Sequence, residues 1–139
     1  MIQRIQSVYL LLASICGFLT LKFSFFGGNK LLENQTKQWV EYNGMESVWQ
    51  LIFTVAIAVA TLVVIFLYKD RRMQLLLTLG LTALSLLNIF FYFNAKSNFV
   101  DSILAMTSAL AFALPVLLLL AANGIYKDEK LVKNADRLR

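Results

Sequence analysis

Four apolar stretches, at 5–26, 47–68, 73–93 and 102–126, take up most of the 139 residues. A helix needs about 20 mostly apolar residues to cross the hydrocarbon core of a bilayer. In lipid its backbone polar groups must be satisfied within the segment. The second and third stretches carry no charge. The first holds Lys22 near its end, and the fourth is interrupted only by Pro115 and Asn123-Gly124. The longest connection is 27–46, and no soluble domain is left over. The expected fold is an all-α integral membrane protein, a single domain over 1–139. It is a four-transmembrane-helix bundle with a short amphipathic cytoplasmic C-terminal helix at 127–139.

Composition supports this reading. The chain is 59% hydrophobic and 15% charged, against about 45–50% and 25% in soluble domains. That excess excludes an ordinary soluble enzyme and a disordered chain. The first stretch has the basic start and apolar run of a signal peptide. No small-x-small site follows Leu21, so it is read as a retained helix.

Orientation follows from the Lys/Arg bias of the flanks. One side holds Arg4, Lys69, Arg71, Arg72, Lys127, Lys130, Lys133, Arg137 and Arg139, nine in all, and the other Lys22, Lys30, Lys37 and Lys96, four. Each side carries four acids, so the net charges are +5 and 0. Both termini are expected in the cytoplasm. Trp39, Tyr42 and Trp49 fall at the outer aromatic belt, and Tyr9, Tyr68 and Tyr126 at the inner one.

Small residues mark helix contacts in lipid. The first span has Ala13-x-x-x-Gly17, the second Ala56-x-x-x-Ala60, and the third Gly80, Ala83 and Ser85. The fourth has Ala105, Ala109 and Ala113 on one stripe and is placed centrally. Pro115 lacks a backbone donor and is read as a static kink rather than a hinge. Asn88, the most polar side chain well inside a span, is read as an interhelical hydrogen-bonding group rather than a substrate contact.

The tail continues or restarts the helix after Gly124, and Leu131, Val132, Ala135 and Leu138 share one of its faces. Lys127, Lys130, Lys133, Arg137 and Arg139 supply the basic remainder. This face suits an anionic membrane surface or a protein partner. Nucleic acid is not expected. The loop at 27–46 opens with Gly27-Gly28 and closes with Asn43-Gly44, both turn signals. It forms either a hairpin or an interfacial helix. Asn34-Gln35-Thr36 is formally a glycosylation acceptor. Asp101-Ser102 is expected to cap the fourth span.

Without histidine, His-based catalysis and metal binding are absent, and one cysteine makes neither an intrachain disulfide nor a thiolate cluster. No acid pair lies inside a span, and no phosphate loop has the required spacing. No catalytic, cofactor-binding or metal-ligating residue is expected, and the chain is expected not to be an enzyme. The expected partners are the lipid bilayer and a membrane protein or further copies of the chain.

The two ends are the most distinctive segments: Met1-Ile2-Gln3-Arg4-Ile5-Gln6-Ser7-Val8-Tyr9-Leu10, and Lys127-Asp128-Glu129-Lys130-Leu131-Val132-Lys133-Asn134-Ala135-Asp136-Arg137-Leu138-Arg139. With four spans between them, the chain resembles the domain of unknown function 4293 family of small inner-membrane proteins from Bacteroidota. The resemblance covers the whole length. It implies a bacterial inner membrane, a periplasmic 27–46 loop and a silent sequon. It implies no activity, and it places both end motifs on the cytoplasmic face. The function expected is an accessory or scaffold subunit of a membrane complex. The alternative is a small transporter or channel component acting as an oligomer.

Overall fold

A computed structural model describes residues 2–31 and 36–139, without the side chains of 2–4. The sequon at Asn34 and the side chain of Arg4 lie outside the described residues. The order of elements is α1 (Ile2–Lys22), β1 (Phe26–Leu31), β2 (Lys37–Tyr42), α2 (Val48–Phe66), α3 (Arg71–Lys96), β3 (Asp101–Leu104) and α4 (Ser108–Arg137). All four helices are long and apolar enough to cross a membrane, and the chain is a multi-pass membrane protein.

The helices pack in a ring in chain order, α1 against α2 and α4, and α3 against α2 and α4. No helix is central, which corrects the place expected for the fourth span. Their inward residues step alternately by three and four. In α1 these are Gln6, Leu10, Ala13, Gly17 and Thr20, and in α2 Gln50, Thr54, Ile57, Thr61 and Val64. In α3 they are Gln74, Thr78, Leu81, Ser85, Asn88 and Tyr92. A repeat averaging 3.5 residues keeps one seam turned to the bundle axis.

Polarity is reversed relative to a soluble bundle. The seams carry hydroxyl and amide side chains at many steps, whereas Leu76, Leu86, Phe90, Val116 and Leu119 point outward. Lipid accepts such an exterior. Thr54, Thr61 and Thr78 each donate to the carbonyl four residues earlier, so their hydroxyls add no unpaired group to the interior. Between these hydroxyls an apolar cluster packs through Leu10, Ala13, Ile57, Val64, Leu81, Leu114 and Leu118.

The small-residue rule marked the contact faces only in part. Ala56, Gly80, Ala83 and Ala109 are exposed, Ala113 is half-buried, and Ala105 precedes α4. The buried face of α4 instead runs through Ser108, Ala111, Leu114, Pro115, Leu118, Ala121, Ala122 and Ile125. Ala13 and Gly17 in α1 and Ser85 in α3 hold the expected role, and Ala60 in α2 is half-buried against the core. An added Cβ on Gly17 would stand 3.1 Å from Ala58 Cβ.

At one end the two long connections combine into an antiparallel sheet of order β2-β1-β3. Phe26 pairs with Tyr42 on one side and with Leu104 on the other. Gly27-Gly28 therefore lies within the central strand and is not a turn. A Cβ on Gly28 would come 2.6 Å from the Asp101 carbonyl oxygen, and one on Gly27 would come 2.7 Å from the Trp39 indole. Glycine is needed there for close approach. The first span ends at Lys22, not residue 26. Asp101-Ser102 lies in β3, so the cap of α4 falls at Thr107. Beneath the sheet, Phe25 stacks on Tyr92 with ring centroids 4.3 Å apart, and Phe26 stacks on Tyr42 at 5.0 Å.

The tail continues the fourth span, one of the two forms open to it, and makes no short helix of its own at 127–139. Asn123-Gly124 does not break the helix, and α4 continues unbroken from Ser108 to Arg137 through Pro115.

Candidate functional site

The opposite end, which holds the start of α1 and the end of α4, carries most of the basic side chains. The start of α1, the start of α3 and the last third of α4 meet there. Gln6 Nε2 donates to Asp128 Oδ2 over 2.6 Å, and both residues are buried. Gly124, one turn before Asp128, leaves room for Gln6, whose Cγ would stand 2.7 Å from an added Cβ. Arg71 Nη1 donates to the Asp128 carbonyl at 3.2 Å. Arg72 Nε and Lys133 Nζ reach the same Glu129 Oε1, at 3.2 and 3.0 Å. Gln74 Nε2 donates to the Val64 carbonyl at 3.2 Å, closing the short α2–α3 connection.

A cavity of about 450 Å³ opens beside this cluster, lined by Lys69, Asp70, Arg71, Arg72, Glu129 and Lys133 together with Met73 and Val132. Of the tail residues singled out in the sequence, Val132 and Lys133 line this cavity. Lys127, Lys130, Leu131, Ala135, Arg137 and Leu138 stand exposed on the extension of α4. Sequence reasoning missed the Gln6–Asp128 pair, although Gln6 stands in the same three-four repeat as Leu10 and Ala13.

The sheet end holds a second polar group. Asn88 Nδ2 donates to Thr54 Oγ1 at 3.1 Å, so the expected interhelical bond is made, with an α2 hydroxyl as partner. Tyr42 Oη donates to Gln50 Oε1 at 3.0 Å, and burial pushes the Tyr42 phenol above its ordinary pKa. Tyr42 and Gln50 line a cavity of about 400 Å³ with Phe53, Phe91, Asn94 and Asn98. Among the described residues, no three His, Cys, Asp or Glu side chains converge on a metal-sized site.

The profile of the family described as domain of unknown function (DUF4293) matches residues 2–138. No curated protein and no solved structure matches the chain. The matched region contains both the Gln6 and the Asp128 ends of the cluster as well as all four spans, and the chain belongs to the DUF4293 family.

Proposed function

We propose that the protein is a non-enzymatic accessory or scaffold subunit of a larger complex in a bacterial inner membrane, with both termini cytoplasmic. It joins its partner through the projecting end of α4. One observation carries this reading: α4 runs on past Tyr126, and every residue from 130 to 139 is exposed. At 1.5 Å per residue, its apolar part to Tyr126 covers about 28 Å, a membrane thickness, and the remainder extends about 16 Å further. The base of that extension is fastened through Asp128 and Glu129, which favours a helix presented at a set angle over a loose tail. Leu131 and Leu138 are 57% and 90% exposed. With Ala135 they form an apolar stripe flanked by Lys130, Lys133 and Arg137, suited to an apolar groove with an acidic rim. The nine-to-four basic asymmetry supports the cytoplasmic orientation.

The test is affinity purification from native membranes in mild detergent, comparing the natural chain with Leu131→Asp/Leu138→Asp. A stoichiometric membrane-protein partner that the variant loses is the expected result. Recovery of the chain alone, or only with further copies of itself, refutes the accessory reading. An oligomeric transporter component is the second reading, motivated by the inward hydroxyls and by Pro115. Solute flux through a purified oligomer in liposomes would favour that reading.

A further inference from the structure

The start of α3 reverses a rule of helix electrostatics. Its first turn carries Arg71 and Arg72 and no acidic side chain. The positive end of the helix dipole lies there, and cations at that end are unfavourable. Asp70 occupies the capping position, yet its side chain makes no capping hydrogen bond. Lys69 and Lys133 line the same cavity, so four cations face two carboxylates, Asp70 and Glu129. Glu129 is already shared, since Arg72 and Lys133 approach one oxygen of it. The cavity is thus left with two cations more than carboxylates.

An anion would supply the missing charge. Guanidinium and ammonium groups beside a helix start match a tetrahedral oxyanion in both shape and charge. The cavity sits where the apolar spans end, and Met73 and Val132 give it an apolar wall. We propose that this cavity binds the phosphate group of an anionic membrane lipid, held chiefly by Arg72 and Lys133 with Lys69 at the rim. The bound phosphate links the start of α3 to α4 through the two cations that share Glu129. A positive flank of ordinary kind explains how many cations lie at this end. It does not explain their convergence on one cavity or their place at a helix start. The site shares Lys133 with the docking face, whose apolar stripe of Leu131, Ala135 and Leu138 lines no part of the cavity.

Native mass spectrometry of the full chain, released from nanodiscs of equal phosphatidylglycerol and phosphatidylcholine, reads the retained lipid. The natural chain is expected to retain phosphatidylglycerol preferentially. Arg72→Gln/Lys133→Gln should lower that retention roughly tenfold or more, given the contribution of each cation near an anionic surface. Lys130→Gln/Arg137→Gln removes the same charge from the exposed extension and should leave retention within about twofold. Lys69→Gln, a single exposed change, should give a partial loss and keeps the test decisive if the double variant fails to fold. No preference between the lipids, or equal loss in the two double variants, overturns the site in favour of general surface electrostatics. Glycerol phosphate binding the lipid-free protein as tightly as phosphatidylglycerol does would overturn the lipid as the source of the phosphate.

Discussion

Gln6 and Asp128 lie 122 positions apart and share a buried hydrogen bond of 2.6 Å. The bond joins the first helix to the last at the end of the bundle that no sheet closes. Gln6→Ala leaves the Asp128 carboxyl buried without that donor, and hydrogen bonds to such groups contribute about 1.5–3 kcal/mol. Gln6→Ala and Asp128→Ala should each destabilise the protein, and the double variant should cost less than their sum. A double-mutant cycle of unfolding in detergent reads this coupling, and strict additivity would mean that the bond contributes nothing.

The packing of α4 separates two alanines that look alike in sequence. Ala109 is exposed and Ala121 is fully buried against its neighbours. Ala109→Leu should leave the melting temperature in detergent nearly unchanged. Ala121→Leu overpacks the core and should cost about 1–3 kcal/mol. The reverse order would restore the stripe through Ala105, Ala109 and Ala113 as the contact face.

Two glycines should respond in opposite directions. Gly80 has open space where a Cβ would be, so Gly80→Ala removes backbone freedom from the unfolded helix and should stabilise by about 0.5–1 kcal/mol. Gly28→Ala meets the Asp101 carbonyl and should loosen β3 from β1. Amide exchange at residues 101–104 should accelerate in that variant alone.

The legibility of this fold was uneven for physical reasons. Runs of Leu, Val and Phe reveal four spans because lipid demands apolar exteriors along a whole helix. The same demand hides the interior. Leu and Ala occur on both faces, so Ala109 looks no different from Ala111, and the inward face of α3 is marked by Thr78, Ser85 and Asn88 at three-four spacing. The hairpin of β1 and β2 was one of two forms open to the loop at 27–46, but its start and its third strand were hidden, because Phe25-Phe26 extends one apolar run, Gly27-Gly28 imitates a turn and 102–104 lies inside another run. Asp128 was legible only as one acid in a basic tail, since nothing local points to a partner in the sixth residue of the chain.

Asn88 and Thr54 provide a further check. Thr54→Val removes the acceptor of the Asn88 amide and should cost about 0.5–2 kcal/mol, the range for polar contacts between membrane helices. Thr54→Ser should retain most of the stability. Equal behaviour of the two variants in urea-induced unfolding would show that the bond is energetically silent.

Orientation is testable with an impermeant thiol reagent. In a Cys16→Ser background, Gln38→Cys in β2 should be labelled in intact cells with a permeable outer membrane, and Asn134→Cys in α4 only after lysis. The opposite pattern would invert the topology.

The sheet has a mechanical consequence. β1 and β2 belong to the α1–α2 connection and β3 to the α3–α4 connection, yet β1 is hydrogen-bonded to both. The two helical hairpins are therefore stitched together at one mouth by backbone. At the other mouth they are joined by the short α2–α3 connection at 67–70 and by side chains, Gln6 with Asp128 and Gln74 with the Val64 carbonyl. Backbone thus closes the bundle at both mouths, as two hoops close a cask, one a ladder of hydrogen bonds and the other a single short connection.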